Sequence, residues 1–220
     1  MSISIEHLPF WLHAPVFEKK RCAKATRNMK NIDLTSVKLA ILVANGFEQE
    51  QVTAPIEFLR RAGATPIIVS PEKEKVTPAG YGNEGALPVD VLLEAADETG
   101  FDALLLPGGH KNAETLVANA KAAKFVRSFA LGNKPIAAIS HGVKLLIDVN
   151  AVSGRKVAAP SSMRELSKPL RAETSEKPVV VVDNSLVTTL GTDSIVSFNE
   201  AFAQICSQHK KSTGGSLHTD

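Results

Sequence analysis

Cysteine is scarce: Cys22 and Cys206 are the only two in 220 residues, and they lie far apart with no metal-ligand spacing between them. This excludes a disulfide framework and favours a reducing compartment, so the cytoplasm is the expected location. No apolar stretch approaches the roughly 18 residues that a membrane span requires. The first residues, Met1 to Pro9, have neither the basic n-region nor the apolar h-region of a secretory leader. Charge is almost balanced at +2, which removes the main electrostatic reason to expect nucleic acid or a membrane surface as partner. No Gly-x-Gly-x-x-Gly run and no phosphate loop occur. No His, Cys, Asp and Glu grouping has zinc or iron spacing, so neither metal nor cofactor is expected.

What is present is an ordinary globular composition, 44% hydrophobic and 22% charged, long enough for one domain with a sizeable core. Residues 1–36 show no clean period. They carry six basic residues against three acidic ones and an aromatic cluster at Phe10 and Trp11, and they read as an N-terminal arm. From Val37 the pattern becomes regular. Val37 to Ala44, Asp102 to Leu106 and Pro135 to Ile139 are near-continuous apolar runs, as expected of strands buried on both faces. Thr65 to Ser70 is a further strand. Helical spacing covers Glu48 to Ala62, Ala120 to Leu131, His141 to Val149 and Ser194 to Ser207. Val76 to Pro88, rich in Gly and Pro, reads as an irregular or hairpin excursion. Val179 to Val182 and Leu186 to Leu190 flank Asp183-Asn184-Ser185 as a hairpin. The body is expected over residues 37–208, with a disordered polar tail over 209–220.

Strands alternating with helices call for an α/β fold, a flavodoxin-like sandwich with a mostly parallel central sheet and helices on both faces. In such folds ligands gather at the carboxyl ends of strands near the switch in strand order. Three strand ends carry unusual chemistry here: Gly46-Phe47-Glu48, Pro107-Gly108-Gly109-His110 and Ile139-Ser140-His141-Gly142. Ser140 lies between a buried strand and a helix, with a small residue two before and a glycine two after. This pattern suits a tight turn that exposes one strained side chain, a nucleophile elbow. Gly108 and Gly109, lacking side chains, are candidates to bring backbone N–H groups to an oxyanion. His110 is a candidate for the pocket mouth.

From Val37 to about Phe202 the chain resembles the ThiJ/PfpI superfamily, of the class I glutamine-amidotransferase-like group. The resemblance rests on Gly46-Phe47-Glu48-Gln49, Leu106-Pro107-Gly108-Gly109, Lys134 to Ile139 with His141-Gly142, and Leu186-Val187-Thr188-Thr189. It implies glyoxalase, deglycase, peptidase or stress-chaperone relatives, and a homo-oligomer as the expected assembly. It also implies an elbow cysteine, whose position falls on Ser140. The carboxylate that usually contacts that cysteine falls on Gln51. The aromatic residue or histidine usual before a proline falls on Ala159, before Pro160. The usual Arg or Asn after the late strand is replaced by Leu190-Gly191.

Serine, unlike a thiol that is already partly thiolate near neutral pH, needs a positioned general base. Neighbouring side chains at an elbow tend to diverge, so His141 is expected to be a poor base for Ser140. The leading expectation is therefore a diverged, stress-associated protein with a small-molecule ligand and without the cysteine-dependent activity. A rival is a Ser-dependent hydrolase or glyoxalase-like enzyme built on Ser140, His141 and Glu48. Another is a module like the C-terminal domain of large-subunit catalases.

Overall fold

The structure is a computed structural model that describes residues 32–80, 82, 84–175, 177 and 180–214. Most of the expected N-terminal arm, including Trp11 and Cys22, lies outside the described residues. The described part of that arm is packed rather than free. Leu34 is fully buried, and its N–H donates to the carbonyl of Ala62.

The element order is β1 (Lys38–Leu42), α1 (Glu50–Arg61), β2 (Thr65–Ser70), β3 (Lys75–Val76), β4 (Leu87–Pro88) and β5 (Val91–Leu92). Then come β6 (Ala103–Leu106), α2 (His110–Val117), α3 (Ala120–Leu131), β7 (Ile136–Ile139) and α4 (Val143–Asp148). The chain continues through β8 (Lys156–Ala158), α5 (Arg164–Ser167), β9 (Glu173–Ser175), β10 (Val181–Asp183), β11 (Leu186–Thr189) and α6 (Ile195–Gly214).

Seven strands form the main sheet in the order β10-β11-β7-β6-β1-β2-β5. All neighbours are parallel except β10 and β11, which pair as a hairpin. The four residues of β6, β7 and β11 are buried throughout, because helices cover both faces and leave no solvent side for an alternating pattern. Even-numbered residues of the central strands, such as Leu104, Ile136 and Ala138, join one hydrophobic cluster with Phe125, Phe129 and Leu146. The neighbours Ala137, Ile139 and Thr189 belong to the alternate set, as the strand period of two requires. The chain runs from β1 outward to β2 and β5, then crosses back to β6 on the other side of β1. The switch in strand order thus falls between β1 and β6.

One difference from the sequence expectation concerns the last helix. The last helix continues to Gly214, so the expected boundary at 208 cuts through it. It is held there by the Lys210 ammonium, 3.1 Å from a carboxylate oxygen of Asp33, and by the Ser212 and Thr213 hydroxyls donating to the carbonyl of His209. The excursion contains a two-stranded hairpin of β3 and β4, while β8 and β9 pair in parallel as a second small sheet. Among the described residues no helix is long and apolar enough to cross a membrane.

Candidate functional site

At the carboxyl end of β7 the backbone turns sharply, and Ser140 takes φ 52°. An L-residue pays roughly 1–2 kcal/mol for this left-handed conformation. The turn is possible because Gly142 follows. A Cβ there would collide with the carbonyl oxygen of Leu106 and lie 2.9 Å from its carbon and 3.0 Å from the Pro107 oxygen. The elbow therefore nests directly on the end of β6. Gly109 is constrained from the opposite side: it takes φ 102°, and an added Cβ would strike the backbone of Gly46 and Phe47. Three strand ends are thus packed backbone to backbone, and glycine is required at two of the contacts.

The hydroxyl of Ser140 and Nδ1 of His141 lie 3.3 Å apart. This corrects the expectation that adjacent side chains diverge here. The left-handed residue rotates the chain enough to bring both onto one side. Burial is the main reason that the His141 imidazole is pushed below the ordinary histidine pKa, and the charge of His110 adds to it. A neutral His141 leaves one ring nitrogen unprotonated. With Nδ1 in that role it accepts from the Ser140 hydroxyl. Glu48 acts in the other direction on His141, favouring the charged form; its own side chain is exposed.

The His110 ring stands edge-on to that of His141, with centroids 5.5 Å apart and planes at 79°. His110 is itself at the start of α2, where Nε2 lies 3.1 Å from a carboxylate oxygen of Glu114, one turn on. Helix α2 was not legible as a helix from the sequence, so the Glu114 partnership was not anticipated.

Gln51 is almost fully buried on α1. Its Oε1 accepts a 2.8 Å hydrogen bond from the N–H of Gly108. Two expectations change in consequence. The Gly108 N–H is committed to this amide, so it is not a donor for a bound oxyanion. Gln51 acts as a staple between α1 and the β6 turn, and Gly108 lies between it and the serine. An added Cβ on Gly108 would come within 2.6 Å of Gln51 Oε1 and 3.1 Å of Ser140 Cβ.

Asn112, also overlooked, is fully buried and completes the fastening. Its Nδ2 donates to the carbonyls of Pro107 and Gly108 at 3.0 and 3.1 Å, and its Oδ1 accepts from the Ala44 N–H at 2.7 Å. An asparagine three residues after a Gly-Gly turn was the available signal. Ala159 is fully buried in the hydrophobic cluster that contains Ala138 and Val143, and its N–H donates to the carbonyl of Ser175. It serves as core, and no polar chemistry reaches the elbow from it. Among the described residues no three His, Cys, Asp or Glu side chains cluster as an ion site.

With this geometry in hand, comparison with known proteins gives a direct match: the DJ-1/PfpI family model fits residues 37–205. The chain belongs to the DJ-1/PfpI family. Among its relatives is the Escherichia coli protein named protein/nucleic acid deglycase 2, 34% identical over 164 residues, 74% of this chain and 94% of that protein. Another is general stress protein 18 of Bacillus subtilis, 33% identical over 162 residues, with 74% and 93% covered. Among solved structures, Drosophila melanogaster DJ-1beta superposes with a TM-score of 0.69 at 21% identity, covering 84% of this chain and all of that one. A ThiJ/PfpI domain protein from Brachyspira murdochii gives 0.70 at 20% identity, covering 79% and 98%. These structural likenesses establish the DJ-1/PfpI fold. The sequence relatives add stress and deglycase proteins to the family circle.

Proposed function

We propose that this DJ-1/PfpI protein is a stress-associated, small-molecule-binding member of the family that works without cysteine-dependent chemistry, as a cytoplasmic homo-oligomer. The observation that carries the reading is the pairing at the elbow. The strained position is held by Ser140, whose hydroxyl is not ionised at physiological pH, and the buried residue across Gly108 is an amide, Gln51, already bonded to the backbone. Neither group supplies the thiolate or the carboxylate that cysteine chemistry at such a turn draws on. The ligand class that suits the site is a small carbonyl compound. Its oxygen would accept from the Ser140 hydroxyl, which turns from Nδ1 of the neutral His141 to the ligand on binding.

The test is purified protein with methylglyoxal, following both binding and turnover, beside Ser140→Ala. Binding without turnover, weakened in the variant, is the expected result. Turnover by the native protein that disappears in Ser140→Ala would overturn the reading in favour of a serine-dependent enzyme. One observation favours that second reading: the 3.3 Å approach of His141 Nδ1 to Ser140 Oγ is near the reach a general base needs. In such an enzyme the Ser140 oxygen would add to the aldehyde carbon of methylglyoxal, its proton passing to His141 and on to the former carbonyl oxygen, which leaves a hemiacetal.

A further inference from the structure

The Ser140–His141 pair leaves open what holds the imidazole in place, since no carboxylate is bonded to its second nitrogen among the hydrogen bonds of the described residues. The neighbouring element supplies a candidate. We infer that His110, anchored by Glu114, is the positioning residue of His141, keeping Nδ1 turned towards Ser140 and free to accept its proton. The inference rests on the reading of the Ser140–His141 elbow as the ligand-facing site.

Three linked distances carry it. Glu114 holds His110 across one helical turn at 3.1 Å. His110 presents its ring at 5.5 Å and 79° to His141, the edge-to-face arrangement that aromatic pairs favour. His141 then meets Ser140 at 3.3 Å. The contact also acts electrostatically. A protonated Nδ1 would be a donor and could not accept from the hydroxyl, so the site depends on a neutral His141. A cation on His110 opposes protonation of the ring it faces. The other charged groups acting on His141 are Glu48, at the entry to α1, which favours the cation, and Lys144, on α4, which opposes it. Burial opposes it most. Glu48 and Lys144 stay constant when His110 alone is changed.

His110 and Glu114 are both exposed, so replacing them leaves the core intact and the fold able to report. The experiment is a proton NMR titration of His141, assigned by loss of its signal in His141→Gln, in native protein, His110→Ala, His110→Phe and Glu114→Ala. In His110→Ala both the charge and the ring are gone. There the His141 midpoint should move up and its proximity signal to Ser140 should weaken. His110→Phe keeps a ring edge without a charge, so the proximity signal should persist while the midpoint still rises. In Glu114→Ala the His110–His141 contact signal should fall. An unchanged Ser140 contact in His110→Ala, whatever its midpoint, would overturn the assignment. An undiminished His110–His141 contact in Glu114→Ala would remove Glu114 from it. Methylglyoxal turnover that depends on Ser140 would overturn the binding function proposed above and leave these titrations standing, so the two failures are distinguishable.

Discussion

Replacing Gly142 with alanine sets two physical effects against each other with opposite signs. The residue has helical backbone angles, φ −58° and ψ −27°. On propensity alone Gly→Ala in a helical position stabilises by roughly 0.8–1 kcal/mol. Packing argues the other way. The new methyl would collide with the Leu106 carbonyl oxygen and stand 2.9 and 3.0 Å from two further backbone atoms. An ordinary carbon–oxygen approach is about 3.3 Å or more, so the elbow or the end of β6 has to yield by an appreciable fraction of an ångström. Gly142, Leu106 and Ile139 are buried, and the last two are tied into the sheet, which makes the displacement expensive. Overpacking of this kind costs about 1–3 kcal/mol and occasionally more. Because the collision is with backbone rather than a mobile side chain, the upper part of that range applies, and a net loss of about 1–2 kcal/mol is expected. For a domain of this size that lowers Tm by about 2–8 °C. Thermal unfolding followed by circular dichroism measures it. Gly100→Ala, where an added Cβ meets nothing within 4 Å, is the control and should leave Tm nearly unchanged. A Gly142→Ala protein as stable as the native one, or more so, would refute the close nesting of the elbow on β6.

Other perturbations test neighbouring parts of the argument. Ser140→Gly should relieve the left-handed strain, partly offset by the greater freedom of glycine in the unfolded chain; a Tm equal to or slightly above native is expected, and a clear fall would contradict a strained elbow. Asn112→Leu removes the acceptor of the Ala44 N–H and the bonds donated to the Pro107 and Gly108 carbonyls, the latter keeping only a 3.4 Å bond from the Glu48 N–H, so a loss of about 2–4 kcal/mol is expected in urea unfolding. Acidification should destabilise the domain. Burial lowers the folded-state pKa of His141 and of His209, so the unfolded chain binds more protons once pH falls below about 6.5. The stability present at pH 7.5 is therefore lost progressively through that range. Tm at pH 5 should lie below that at pH 7.5, and His209→Gln should flatten the difference. Asp33 and Asp97 also titrate below their ordinary value, chiefly through bonds from Thr35 and Thr99, but their contribution falls away only near pH 4 and lower. Cys206 is buried, which pushes its thiol well above the usual range. In a Cys22→Ser protein it should ignore a thiol reagent until urea unfolds the chain.

The central sheet was legible because strands buried on both faces leave unbroken apolar runs. Thr65 to Ser70 was read with the bounds that the structure has, and β1, β6 and β7 differ by one or two residues at their ends. The short outer strands were not legible. Val91–Leu92 and Glu173–Ser175 are too brief for a period; the first adds to the edge of the main sheet beside β2, and the second pairs with β8 in a sheet of its own. The helix starting at His110 was missed because its short run, His110 to Val117, is polar on most positions and one of its three buried residues, Asn112, is itself polar beside Ala113 and Leu116. In the site, glycine spacing disclosed the elbow and the close approaches. What it could not disclose were hydrogen bonds across more than fifty residues, such as Gln51 to Gly108. Nor could it foresee that a left-handed Ser140 would bring His141 alongside its hydroxyl.

The two amides gripping the Pro107-Gly108 turn, Gln51 from one helix and Asn112 from another, bear on how the pocket accommodates guests. Displacing that turn breaks its bonds to side chains of both helices, and those bonds are buried away from water that could replace them. The floor beneath Ser140 is accordingly stiff, and selection among candidate molecules falls to shape at the rim, where Glu48 is exposed. Amide exchange at Gly108 should then be as slow as in the heart of the sheet, whether or not a guest is present.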